Sequence, residues 1–359
     1  MHLPHGAVPL PAFLPDATHG YVRSADAADL ETAGVQAVVM NAFHLARKPG
    51  AGVVSALGGA HAMAGWNRPI VMDSGGFQIY SLIRAGNGAG VITPSGFRYR
   101  SEGDVGSHVW SAEKSIRTQI AMGADVAICL DDCTHSDDRY DEQRSSVART
   151  VAWARKCRAT FDEANSRPPD TGRMLFAVVQ GGAHLTLRRE CADRLLEIGF
   201  DGYGYGGWPL SATGSILEET LAFVREAVPA CWPLHALGIG NPNHVVLCAR
   251  LGYDLFDSAL PTRDARDGRL FTWREDPNSS ALATDGCWWR YLYIDDDRHV
   301  RDRRPASPWC DCTTCSRYSV GYLRHLRRQG DGLYARLATL HNLSFMQRLM
   351  GLLARERAR

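Results

Sequence analysis

Three cysteines within six residues, Cys310-x-Cys312-x-x-Cys315, form the densest group of metal-capable side chains in this chain. Thiolates at such spacing hold zinc, and a tetrahedral ion requires a fourth ligand. His341 is the natural candidate, because it sits in a helical segment able to fold back on the cysteines; His299 and His325 lie nearby as alternatives. A Cys₃His set leaves no open coordination position, which describes a structural zinc rather than a catalytic one. The other cysteines are scattered and read as small core residues, not as a disulfide framework.

A second set of chemistry-capable residues is spread through the sequence, yet shares one setting. Asp73 and Ser74, Asp131, Gln180, Gly206 and Gly207, Gly238 and Gly240, and Asp257 all fall at the C-terminal ends of short, apolar, β-rich runs. Those runs are 11–15, 37–40, 69–73, 126–131, 175–180, 202–206, 234–237 and 255–260. Helical patterns separate most of them, for example 112–122, 141–164, 185–198, 215–227 and 242–251. Strands alternating with helices imply parallel βαβ units, and eight units predict a (β/α)₈ TIM barrel of the α/β class. Such barrels build their sites at strand C-terminal ends. Taken singly, Asp257 reads equally well as a turn or cap aspartate, and Asp73 as the start of a glycine turn.

The domain reading is a barrel over 1–285, a zinc-binding subdomain over 286–345, and a closing helix over 346–359. Two helical segments, about 316–328 and 332–356, carry the leucines and arginines of the C-terminal part. From Arg298 onward, 13 arginines face four acids, whereas the whole chain has a net charge of only +1. That asymmetry points to a phosphate-binding face, with a solvated arginine-rich helix as the plainer alternative. The N-terminus lacks the basic start and apolar core of a secretory signal, and no apolar run reaches the ~18 residues that span a bilayer. A cytoplasmic, non-membrane protein is expected.

The ordered blocks Met72-Asp-Ser-Gly-Gly-Phe-Gln-Ile-Tyr-Ser-Leu82, Val179-Gln-Gly-Gly182, Phe256-Asp-Ser-Ala-Leu-Pro-Thr-Arg263 and Cys310/Cys312/Cys315/His341 resemble the tRNA-guanine transglycosylase family over essentially the whole chain. The resemblance implies base exchange at a ribose C1′ with retention, which calls for two carboxyl groups. By resemblance Asp257 matches the nucleophile and Asp73 the general acid/base. Asp131 matches the carboxylate that reads the donor edge of guanine, while Gln180 and the Gly207 backbone match its partners on O6. Ser74 lies in the same pocket motif, and Phe77 occupies the position that stacks on the base. Adjacent strand residues point oppositely, so Asp131 and Asp132 are not both expected in the pocket. Arg263, Arg266 and Arg269 recur every third residue in the segment that touches RNA in the family.

Two departures accompany the match. Family members that use 7-aminomethyl-7-deazaguanine read Gly-Gly-Leu-Ala-Val-Gly-Glu where this chain has Gly206-Gly-Trp-Pro-Leu-Ser-Ala212. The Glu becomes Ala212 and Trp208 enters, which leaves open which 7-deazaguanine is inserted. The chain also begins close to its first barrel strand, so the family's leading β-hairpin is expected to be missing and the lower rim exposed. The implied partners are tRNA, a 7-deazaguanine base, one structural Zn²⁺ and a second copy in a homodimer. Alternatives from other classes are a DNA-guanine transglycosylase and a non-catalytic RNA-binding partner subunit, the latter opposed by the retained Asp73, Asp131, Gln180 and Asp257.

Overall fold

The computed structural model describes residues 1–84, 90–100, 106–135, 137–165, 172–211, 213–279, 282 and 287–358. All eight predicted strands form: β1 (Ala12–Pro15), β2 (Val38–Asn41), β3 (Ile70–Asp73), β4 (Val126–Ile128), β5 (Met174–Val179), β6 (Gly202–Tyr205), β7 (Leu234–Ala236) and β8 (Leu255–Ser258). They belong to one sheet in the order β1-β8-β7-β6-β5-β4-β3-β2, the arrangement of an α/β TIM-type barrel. Pairs β3–β4, β4–β5, β5–β6, β6–β7 and β8–β1 are parallel. The strands are near-continuous apolar runs, as the buried Leu-Phe-Ala-Val-Val of β5 illustrates, because helices cover the outer face of such a sheet while side chains fill the inner one.

The chain packs as two compact units. The first comprises Met1–Ala7, Thr18–Gly20 and Val39–Leu237. Its helices start where the sequence supplies caps: Ser111 accepts from the Lys114 amide at the head of helix Ala112–Ala121. A three-stranded antiparallel sheet, Gly90–Thr93, Gly96–Tyr99 and His108–Ser111, also belongs to this unit. Its strands are four residues each, too short to leave a periodic signal. The leading hairpin expected to be absent is present in miniature. His2–Leu3 pairs antiparallel with Gly6–Ala7, and His5 in its turn reaches Asp125. Two-residue strands are too short for alternation to reveal.

The second unit comprises Val8–Ala17, Tyr21–Val38 and Gly238–Arg359. Here Arg269–Trp273 (β9) and Trp289–Tyr293 (β10) form an antiparallel ribbon. The predicted helix over 316–328 is two helices, Thr313–Arg317 and Val320–Gln329, because Ser319 leaves the helical conformation and caps the second by accepting from the Tyr322 amide. The last helix, Gly332–Arg357, runs unbroken through residue 345. The other expected boundary, at 285–286, lies outside the described residues. Leu270, Ile294, Val320, Leu323, Tyr334, Leu337 and Ala338 make a core of this unit's own. No described helix is long and apolar enough to cross a membrane.

Candidate active site and metal centre

In the first unit, Asp73 ends β3 and its Oδ2 accepts a 2.6 Å hydrogen bond from Asn41 Nδ2, at the end of β2. The following turn depends on glycine. Gly75 has φ of +85°, and a Cβ there would lie 2.2 Å from Phe43 Cβ. Ser74 is fully buried: its carbonyl accepts from Trp110 Nε1 and Ser115 Oγ, and its own Oγ accepts from the Gly76 amide. Phe77 follows in helix Gly76–Arg84 with its ring 40% exposed.

Asp131 follows β4, and its Oδ2 accepts from Gln180 Nε2 at 2.6 Å. Burial pushes the Asp131 carboxyl up to about 7. The Gln180 hydrogen bond opposes that rise, while the charges of Asp73 and Asp132 add to it. Gln180, just after β5, is fully buried, and its Oε1 has no hydrogen-bond partner. With one Nε2 hydrogen on Asp131, the amide offers this orphan acceptor and its second N–H. A buried acceptor left unmet costs about 1–3 kcal/mol, so the position calls for a donor. Gly206 makes room for the amide, since a Cβ there would sit 2.6 Å from Gln180 Nε2. Asp132 points elsewhere, to Arg149 Nε at 2.6 Å.

Arg188 had no place among the sequence candidates, yet it shapes this region. Fully buried on helix Leu185–Ile198, it donates to the carbonyls of Val179, Gly182 and Gly206, with its guanidinium 4.1 Å from the Tyr205 ring centroid. It thereby fixes the loops carrying Gln180 and Gly207. A basic residue on the helix's apolar face, beside Leu187, Cys191, Ala192 and Leu195, was the available signal. Trp208 is 36% exposed, with its ring centroid 5.1 Å from Phe77 and 5.5 Å from His135. Ala212 lies outside the described residues.

In the second unit, Asp257 lies in β8, where its Oδ1 accepts from the Gly238 amide at 3.0 Å. Helix Leu260–Arg266 follows directly. Arg263 is exposed there. Arg266 is half-buried with Nη1 unpartnered, and burial, together with Arg23 and Arg263, works against its charge despite the opposing pull of Asp267 and Asp16. Arg269 is differently engaged: its guanidinium pairs with buried Asp264 at 2.6 Å and with Asp267 at 3.1 Å. The three-residue spacing grouped arginines whose surroundings differ.

Cys310, Cys312, Cys315 and His341 converge, their ligand atoms all within 4.8 Å of one another. The three sulfurs lie 3.8, 3.5 and 3.2 Å from His341 Nδ1. A tetrahedron with Zn–S of about 2.3 Å and Zn–N of about 2.0 Å has edges of roughly 3.5–3.8 Å, so the donor set fits zinc. His341 Nε2 donates to the Phe271 carbonyl at 2.7 Å, leaving Nδ1 to face the sulfurs. The neighbouring Asn342 accepts from the Phe271 amide and donates to the carbonyls of Pro261 and Arg269. His299 is not part of the cluster; it pairs with Asp302.

Among the described residues a second group, His5, His61 and Asp125, is equally close-packed but does not fit a metal. Each imidazole addresses its own carboxylate oxygen, at 2.7 and 3.1 Å, and the rings stack 3.6 Å apart. Stacked rings cannot both aim in-plane lone pairs at one ion. The group is a hydrogen-bonded clasp on the N-terminal hairpin.

The family described as Queuine tRNA-ribosyltransferase matches residues 1–356 of this chain. The chain belongs to that family. A Queuine tRNA-ribosyltransferase of Syntrophobacter fumaroxidans is 38% identical over 346 residues, covering 96% of this chain and 86% of that protein. Proteins of the same description from Acidithiobacillus ferrooxidans and Psychrobacter cryohalolentis are 37% and 34% identical, each over 98% of this chain and 87% and 86% of theirs. Membership of this transglycosylase family makes the chain a glycosyltransferase of the pentosyl class.

Proposed function

We propose that the chain exchanges a guanine in tRNA, at the anticodon wobble position, for a 7-deazaguanine base. The observation that carries this reading is the Asp131–Gln180 pair: a buried carboxylate near neutrality beside an amide with an orphan acceptor, at the ends of adjacent strands. Guanine offers N1–H and N2–H₂ to such acceptors and O6 to an amide or backbone N–H. Phe77, exposed and next in the chain to Gly76, which lies against Asp131, supplies a π-face for the base.

The chemistry assigned to the two aspartates is that of a retaining glycosyl transfer. The Asp257 carboxylate attacks C1′, the C1′–N9 bond breaks, and the departing guanine takes a proton from Asp73. An incoming base then gives its N9 proton to Asp73 and displaces Asp257 from C1′. Asn41 orients Asp73, and the Gly238 amide orients Asp257. Zinc, when bound by the Cys₃His set, serves structure: through His341 and Asn342 it fixes β9 and the helix that follows Asp257. Arg263 and Arg266 are the phosphate contacts of the proposal, and Arg269 supports the fold. The reading carries a cytoplasmic location and, by family resemblance, a homodimer.

Relatives described as acting on tRNA favour RNA over the DNA alternative. The test offers the enzyme tRNA, single-stranded DNA and duplex DNA, each with labelled guanine and a series of 7-deazaguanines. Label should enter tRNA alone. Incorporation into DNA but not tRNA selects the alternative polymer, and incorporation into neither overturns the enzymatic reading.

A further inference from the structure

We propose that Trp208 is a displaceable aromatic cover on the base site, one that limits the size of the substituent an incoming base can carry at its 7 position. The inference rests on the base-exchange reading above and adds a residue to it. Its starting point is the order of groups along one edge of the base. O6 and position 7 are neighbours on the guanine ring system. If the Gly207 amide meets O6, the next residue along the loop meets position 7, and that residue is Trp208.

Two features make the indole a cover rather than a fixed wall. The first is spacing. Ring centroids of Trp208 and Phe77 are 5.1 Å apart with planes inclined at 42°. A flat base held between two rings needs about 7 Å, twice the ~3.5 Å contact distance between carbon atoms. No base fits between Phe77 and Trp208 as they stand, so a base that stacks on the face of Phe77 turned toward Trp208 requires the indole to swing away. The second is attachment. Trp208 is 36% exposed, and its ring partners are Phe77 and His135, both tilted against it. The preceding Gly207 has φ of +82°, a left-handed turn from which the loop leaves strand β6. Ring contacts on a partly exposed loop side chain, following such a turn, permit a rotamer change that a packed core residue could not make.

The consequence is selection by size. A swung indole still flanks the edge beyond Gly207, and its nine-atom ring system occupies space that a smaller side chain would leave to the substituent. Bases with a hydrogen or a one-carbon substituent at position 7 should enter, and a bulky cyclic substituent should be turned away. The experiment compares wild type, Trp208→Phe and Trp208→Ala, each first matched for zinc content and circular dichroism. Competing 7-deazaguanines carrying hydrogen, a one-carbon group or a bulky cyclic group at position 7 are offered with tRNA. The quantity read is the ratio of kcat/KM for the bulky base to that for guanine. That ratio should rise at least tenfold in Trp208→Ala and by less in Trp208→Phe. A ratio unchanged in Trp208→Ala removes Trp208 as a size filter. In parallel, tryptophan emission is followed during titration with free base and no tRNA. A change in wild type that is absent in Trp208→Phe supports displacement; equal changes in both proteins, or none in wild type, exclude it. Loss of exchange in wild type, with the emission change intact, would sink the base-exchange reading while leaving the cover standing.

Discussion

Gln180 in the proposed base pocket and His341 with Asn342 at the zinc corner are all fully buried polar side chains, but their hydrogen-bond ledgers are opposite. At the zinc corner these two side chains are satisfied within the protein. His341 uses both ring nitrogens, Asn342 makes three hydrogen bonds to backbone, and Arg269 pairs with two aspartates. In the pocket, Gln180 keeps an orphan acceptor, Asp131 is held near neutrality by burial, and Phe77 and Trp208 expose their rings. A scaffold gains by closing its polar groups on itself; a recognition site holds them open for a ligand. The contrast separates parts that must persist from parts that must respond.

The largest test of that division falls on the proposed nucleophile. Asp257→Ala should lower exchange by about 10⁴-fold or more, with zinc content and folding intact. Turnover close to wild type, followed with labelled guanine, removes the covalent step. Asp73→Ala should cost about 10²–10⁴-fold, the usual span for a general acid/base. If single-turnover base release is undiminished, Asp73 has another role. Cys312→Ser belongs to the other side of the comparison. It should release zinc, measured by metal analysis, and lower the melting temperature by roughly 10 °C. A protein that melts like wild type without zinc would show that the corner stands without its metal.

The pocket itself should respond to pH. With Asp131 titrating at about 7, its ionised fraction, and hence affinity for the base's donor edge, should rise about ten-fold from pH 6 to pH 8. Equilibrium binding of the base across that range is the measurement, and Asp131→Asn should abolish the slope. The smallest effect concerns the arginines. Arg263→Ala should reduce the salt dependence of tRNA binding by about one phosphate contact, whereas Arg269→Ala should leave it unchanged and lower stability instead. Equal salt slopes for the two variants would erase the distinction between them.

The legibility of the sequence followed the range of the forces involved. All eight barrel strands could be read, because each is a contiguous apolar run whose burial depends on class of residue and not on partner. The metal set was legible from thiol density, since few other demands place three cysteines in six residues. Gln180 was placed by resemblance, but not the state of its amide, because one N–H is consumed by a residue 49 positions away. Arg188 and Asn342 escaped notice for the same reason: their roles lie in carbonyls brought near by the fold. The leading hairpin was missed because its strands are two residues long, shorter than any periodic pattern. The arginine triplet shows the opposite error. Regular spacing suggested one role, and local carboxylates gave Arg269 another.

With Asp131 reading the base as proposed, its near-neutral carboxyl would also make substrate capture a proton-exchange event. Between pH 4 and pH 7 the folded chain retains a proton at Asp131 that the unfolded chain has released, so this residue's contribution to stability falls as pH rises through that window. Base binding draws on the ionised form. Below pH 7 each guanine captured should therefore expel close to one proton into the buffer. Calorimetry in buffers of different ionisation heats would count it directly. Asp131's own contribution to stability would be greatest where it reads its base least well.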